Sequence, residues 1–211
     1  MKKVLLVIIA LVLIAPVSNA QAKFGIKGGL NFNTFSDLNL AGSPTLKNST
    51  GYNFGILLQF KVPMVGLALQ PELMFTTKGT EIDYLTTYVV APGPGIVAPQ
   101  VQYMPTKATL SYLELPVNIQ WGIDLLLFRP YVQVSPFISY ALSKGDDMDN
   151  VSWDDLNRFD YGVGLGAGVD IWKFQVSGKY NWSLGNLGKS SNTTLNGTKL
   201  RGFQLSLAFL F

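Results

Sequence analysis

The 211-residue chain contains no cysteine and no histidine. Without cysteine there are no disulfides, thiolate metal sites, thiol nucleophiles or lipid-modified cysteine after a signal. Without histidine the usual general base and the commonest metal ligand are gone. Charged residues make up only 14% of the chain, and its lysines and arginines form no cluster able to neutralise a run of phosphates. Nucleic acid is therefore not an expected partner. Also missing is an apolar run of about 20 residues, the length a membrane-spanning helix needs.

The one sustained apolar run is short and lies at the start. Lys2 and Lys3 precede Val4 to Ala15, and Pro16 and the small residues Ser18, Ala20 and Ala22 follow. A basic start, a short apolar core and a small-residue end describe a secretory signal peptide over residues 1–22, with cleavage after Ala20 or Ala22. Its removal lowers the formal charge from +3 to +1, because Lys2 and Lys3 leave with it. Residues 23–211 then form one domain by length.

What the mature chain has in abundance is alternation. "KFGIKGGLNF" sets Phe24, Ile26, Leu30 and Phe32 against Lys23, Lys27 and Asn31. "GYNFGILLQF" sets Tyr52, Phe54, Ile56, Leu58 and Phe60 against Asn53 and Gln59. "LALQPELMF", "YLELPVNIQW", "YVQVSPFISY", "DYGVGLGAGVDI", "FQVSGKYNW" and the terminal "GFQLSLAFLF" share the pattern. Period two over such lengths predicts eight β-strands. The links between them alternate long and short, with short ones at "KVPMVG", "GIDLLLF" and "WK" and a long one from roughly Thr77 to Thr109. An even strand count with every long loop at one end is the layout of a transmembrane β-barrel, with long external loops and short periplasmic turns. The expected fold is all-β: an eight-stranded antiparallel transmembrane barrel, with ten strands as the alternative if residues 80–110 add a pair.

The apolar face must look at lipid. It carries four or five bulky residues on most strands, too many for an eight-stranded lumen. The opposite face is small or polar, as with Gly162, Gly164, Gly166, Gly168, Ser177, Gln204 and Ser206. Trp121, Tyr131, Trp172 and Phe174 fall near the short turns, and Tyr52, Tyr140, Tyr161 and Trp182 near the long loops. These are expected as two aromatic girdles at the two membrane interfaces. The last strand must pair with the first, since an open edge in lipid leaves backbone groups unsatisfied. Its outward row, Phe203, Leu205, Leu207, Phe209 and Phe211, also looks like the C-terminal signal read by the barrel-assembly machinery.

"KFGIKGGLN" at 23–31, "YLELPVNI" at 112–119, "RPYVQVSPFISY" at 129–140 and "DYGVGLGAGVDI" at 160–171 together resemble the outer membrane protein beta-barrel domain, the small porin-family or PorT-like proteins of Gram-negative bacteria. The resemblance spans nearly the whole mature chain. It implies an outer-membrane barrel and carries over no catalytic residues.

Few constellations suggest chemistry. Gly162, Gly164 and Ala167 fit G-x-G-x-x-A, but that motif needs a strand–turn–helix context, and here the glycines continue a strand. Asp146, Asp147, Asp149, Asp154 and Asp155 lack the spacing of a calcium loop and read as a solvated external loop, with loose cation or lipopolysaccharide bridging as the alternative. No cofactor, metal or enzymatic activity is expected.

Two features bear on function. Residues 88–103 are apolar yet lie in an external loop, either plugging the mouth or presenting a contact surface. The arms "IDYLTTYVV" and "QVQYMP" can extend the flanking strands upward, so residues 78–108 are the expected place for an extracellular protein or glycan partner. On the inner face, Glu72 and Glu114 lie on adjacent strands, with Lys27 and Lys179 at similar height across the ring. Two charges of each sign can pair there and close the lumen. The expected protein is a monomer in contact with outer-membrane lipid and lipopolysaccharide, with a structural or surface-interaction role. The alternative is a narrow porin-like channel.

Overall fold

The computed structural model describes residues 21–36, 45–62, 65–88, 100–145, 157–186 and 199–211. Residues 1–20 of the expected signal peptide, the five-aspartate run from Asp146 to Asp155, and the loop tip 89–99 lie outside them. Eight strands follow in order: β1 (Gln21–Ser36), β2 (Thr45–Val62), β3 (Leu67–Tyr88), β4 (Gln100–Gly122), β5 (Phe128–Lys144), β6 (Phe159–Ile171), β7 (Phe174–Ser183) and β8 (Lys199–Leu210). Each pairs antiparallel with its chain neighbours, and β8 pairs with β1 to close the barrel.

Register determines the barrel's shape. Pairing runs from Ala22 through Phe60, Leu69, Ile119, Val134, Leu165, Tyr180 and Phe203 and returns to β1 at Phe32, a shear of ten residues. Eight strands with that stagger tilt by roughly 40° and enclose a lumen just wide enough for side chains to fill.

Alternation then sorts the residues. Phe24, Ile26, Tyr52, Phe54, Leu115, Ile119, Val132, Leu165, Leu205 and Leu207 stand exposed on the outside, while Gln59, Gln70, Glu72, Asn118, Gln175, Ser177 and Ser206 are buried inside. An apolar exterior around a polar interior inverts the soluble rule and fits a barrel in lipid. Arginine at Leu115 or Leu207 should cost about 2–4 kcal/mol near the midplane. Ser206→Asn, which adds a polar group but no charge to the filled lumen, should cost less. Unfolding in lipid vesicles that gave the reverse order would show the two faces are misassigned.

The lower girdle needs one correction. Trp121, Trp172 and Phe174 face outward, but Tyr131 points inward and is buried. Parity explains it: Val132 and Val134 hold the outward row of β5. Space explains it too, because β6 offers glycine beside each inward ring of β5. A Cβ on Gly168 would lie 2.4 Å from the Tyr131 hydroxyl, and one on Gly162 would lie 2.6 Å from the Phe137 ring. The glycine row is a seat for aromatic rings and for its β7 neighbours Lys179 and Asn181.

Residues 80–110 do not add a strand pair. They prolong β3 and β4 instead, in unbroken register from Thr80↔Ala108 to Tyr88↔Gln100. A tilted strand crosses a membrane in about 9–11 residues, yet β3 has 22 and β4 has 23. β2 accompanies the surplus as far as Thr45↔Asp83, and from Tyr84↔Met104 to Tyr88↔Gln100 β3 and β4 continue alone as a two-stranded ribbon roughly 15 Å long. The expected arms are there, and the tip they carry lies outside the described residues.

Candidate functional site in the barrel lumen

Inward residues of an eight-stranded barrel meet across the ring as well as along it, so shear decides which ones touch. Near the periplasmic end, four glutamines from four strands converge. Gln70 Nε2 donates to Gln175 Oε1 at 2.9 Å, joining β3 to β7 on opposite walls. Gln59 and Gln120 both donate to Gln70 Oε1, at 3.2 and 3.1 Å. Gln175 Nε2 donates to Asp170 at 2.8 Å, and the Arg129 guanidinium spans Asp170 and Gln120 at 3.2 and 3.3 Å. Arg129 also donates to the Gly66 carbonyl at 2.9 Å, tying the lumen to the β2–β3 turn.

One level higher lie the residues singled out in the sequence. Lys27 Nζ donates to Glu72 Oε1 at 2.8 Å, with both side chains buried. β2 lies between their strands and contributes Gly55 opposite Lys27, so no side chain stands directly beside the lysine stem there. Glu72 is heavily engaged: Gln70 and Asn118 also donate to its Oε1, at 2.7 and 2.6 Å. Ser135 in turn holds Asn118 at 2.6 Å.

The expected set of four does not close on itself. Glu114 pairs with Lys78, not with Lys27 or Lys179. Lys78 Nζ also lies 4.7 Å from the centre of the Phe137 ring, a cation–π contact. Lys179 is buried at 2% exposure, and its Nζ has no hydrogen-bond partner among the described residues. Glu72 and Glu114, the two carboxylates expected to serve it, already hold Lys27 and Lys78.

Sequence reasoning missed Lys78 because residues 77–109 read as loop. In the structure β3 runs on past Thr77, whose hydroxyl accepts from the Tyr52 N–H at 2.8 Å where the β2–β3 register shifts. The inward parity of Glu72 and Met74 therefore carries through to Lys78. The glutamines of β2, β3 and β4 were legible as inward residues but not as neighbours, and Arg129, Asp170 and Gln175 were not singled out. Towards the external mouth Asn53 donates to Asn31 at 2.8 Å, Asn31 to Thr76 at 2.7 Å, and Ser183 bonds Asp160. Among the described residues no three carboxylates gather to hold a metal.

A closed barrel with a lipid-facing apolar wall, a charged and amide-filled interior and long loops at one end defines an outer-membrane β-barrel protein. The model of the outer membrane protein beta-barrel domain matches residues 18–189, and the chain belongs to that family. No curated protein matches it. Among solved structures it is similar to Neisserial surface protein A, at 11% identity and a TM-score of 0.45, over 90% of this chain and 99% of that one. It is also similar to Ail, the attachment invasion locus protein of Yersinia pestis, solved in complex with the heparin analogue sucrose octasulfate, at 11% identity, a TM-score of 0.42 and coverage of 90% and 99%. A third is the outer membrane protein W of E. coli, at 15% identity, a TM-score of 0.41 and coverage of 92% and 100%.

Proposed function

We propose that this protein is a closed-lumen barrel that works at the cell surface, presenting its external loops to partners rather than passing solutes. One observation carries the reading: amide side chains from opposite walls bond directly across the lumen, Gln70 to Gln175 at 2.9 Å. The Lys27–Glu72 pair and the Lys78–Glu114 pair stack above that level. An ion entering the lumen would have to break several buried, charge-assisted bonds, each stronger than a neutral one.

The presenting element in this reading is the β3–β4 ribbon. It prolongs two paired strands beyond the length needed to span, and its apolar tip sequence suits an extracellular protein or glycan or the lipopolysaccharide around it. The barrel acts as a monomeric anchor with no cofactor. Export uses the signal peptide, and cleavage after Ala20 keeps Gln21 and Ala22 in β1, where they pair with Lys61 and Phe60.

Single-channel recording of the purified barrel in planar bilayers tests the reading. The expected result is no stable open level. Glu114→Gln and Lys179→Met should alter whatever rare openings occur, because both change the charge balance of the plug. A steady open pore in the parent, with conductance unmoved by either substitution, would replace the anchor with a narrow channel.

A further inference from the structure

Periplasmic turns of a barrel project towards water and would ordinarily be polar. The turn between β4 and β5 is Ile123-Asp124-Leu125-Leu126-Leu127 and runs directly into Phe128. Leu126 is 101% exposed and Leu127 76%, with Ile123, Leu125 and Phe128 also exposed. Its backbone is fixed, with Ile123 N–H bonded to Pro130 O at 3.1 Å and Leu125 N–H to Phe128 O at 3.0 Å. The apolar display is therefore built into the fold.

The turn's one polar side chain is turned the other way. Asp124 pairs with Lys61 and lies 3.7 Å from the Arg129 guanidinium, at the inner edge of the rim. What faces outward is purely aliphatic. A second turn adds to it: Trp172 and Lys173 connect β6 to β7, with Trp172 at φ 55° and 76% exposed. Tryptophan is ill suited to that left-handed conformation, where glycine or asparagine sits without strain. Lys173 Nζ lies 5.7 Å from the Trp172 ring and 5.8 Å from that of Phe209, its stem lying along aromatic surface with its charge at the rim.

We propose that this periplasmic rim is itself a lipid-binding surface: Leu125, Leu126, Leu127 and Trp172 sit in the periplasmic leaflet, and Lys173 meets the phospholipid phosphates. Continuity selects lipid over a protein partner. Ile123 and Phe128, at the two ends of the turn, extend the outward rows of β4 and β5, so the apolar surface passes unbroken from the lipid-facing wall into the turn. An exposed indole beside a cation is the chemistry of the headgroup boundary. The rim would fix how deep the barrel sits and hold phospholipid around its base.

The chain has no native cysteine, so Leu126→Cys accepts a single environment-sensitive fluorophore at a position where no packing is lost. The labelled barrel is reconstituted at low density in phosphatidylethanolamine–phosphatidylglycerol vesicles with iodide on both sides. Expected are a blue-shifted emission compared with the urea-unfolded chain, strong quenching by doxyl-labelled lipid and weak quenching by iodide. Trp172→Cys should behave alike. Iodide quenching equal to that of the unfolded chain would overturn the proposal. So would a label open to iodide in vesicles but shielded in native envelopes, which would assign the rim to a periplasmic protein. Shielding that disappears as the barrel is diluted in lipid would overturn it in favour of contact between two copies.

Discussion

Glu72→Gln is expected to destabilise the barrel by about 3–5 kcal/mol, the range for removing one partner of a buried ion pair. The substitution keeps the size of the side chain and an acceptor oxygen, so Asn118 and Gln70 can still donate to it. What disappears is the charge that faces Lys27 at 2.8 Å and, across the lumen, Lys179. Two buried ammonium groups would then share one level of a lumen too narrow for bulk water. The matching substitution on the other side, Lys27→Met, should cost less. Lys179 is already buried without a hydrogen-bond partner among the described residues, and it can move onto the vacated Glu72 oxygen. Urea unfolding of both variants in lipid vesicles checks the order. Equal losses would mean that Lys179 does not compensate, and a neutral Glu72→Gln would mean that the lumen is wet enough to solvate its charges.

That asymmetry depends on geometry that alternation alone does not contain. Period two assigns Lys27, Glu72, Glu114 and Lys179 to the inner face, and all four are there. Distance from the turns set all four at similar height, but true height depends on the shear, and shear arises from eight separate registers. A ten-residue stagger brings Gln70 opposite Gln175 and Lys27 beside Glu72 across an intervening strand. Another stagger would bring other pairs together from the same inward rows. The strand count was legible because each strand repeats one pattern and the links alternate in length. The loop boundary at Thr77 was not, because polar, threonine-rich sequence reads equally as loop or as strand in water. Lys78, the partner of Glu114, lies just beyond that boundary.

The glycine row of β6 makes the same point from the opposite direction. Its alternation identified an inner face and nothing more. Only the pairing of Gly162 with Phe137 and of Gly168 with Tyr131 shows what the room is for. Once those rings are inside, Tyr131 cannot serve the girdle, and the outward row of β5 falls to Val132 and Val134.

Deleting Phe211, or replacing it with aspartate, should lower the amount of assembled barrel in the outer membrane several-fold while changing the stability of barrel already folded by only about 1–3 kcal/mol, the worth of its two aromatic pairs. The reason lies in the seam. β8 pairs with β1 from Gly25↔Leu210 to Ser36↔Lys199, and Phe211 adds one further bond, from its N–H to Phe24 O at 2.8 Å. Its ring stacks on Phe24 at 5.7 Å and meets Phe209 edge-on at 5.2 Å. Those contacts fasten the lower end of the closing seam, where β1 is also held by β2, so a folded barrel tolerates their loss. Assembly has less support. Until β8 meets β1 the chain presents an open edge to lipid, and every unpaired backbone group there is costly. The outward row Phe203, Leu205, Leu207, Phe209 and Phe211 is the expected assembly signal, needed during that interval and no longer once the seam has closed. Unaided refolding into vesicles should therefore be nearly normal for the deletion, whereas heat-modifiable barrel in cell envelopes should be scarce. Normal envelope levels would remove Phe211 from the recognition role, and failure to refold in pure lipid would make it a closure residue alone.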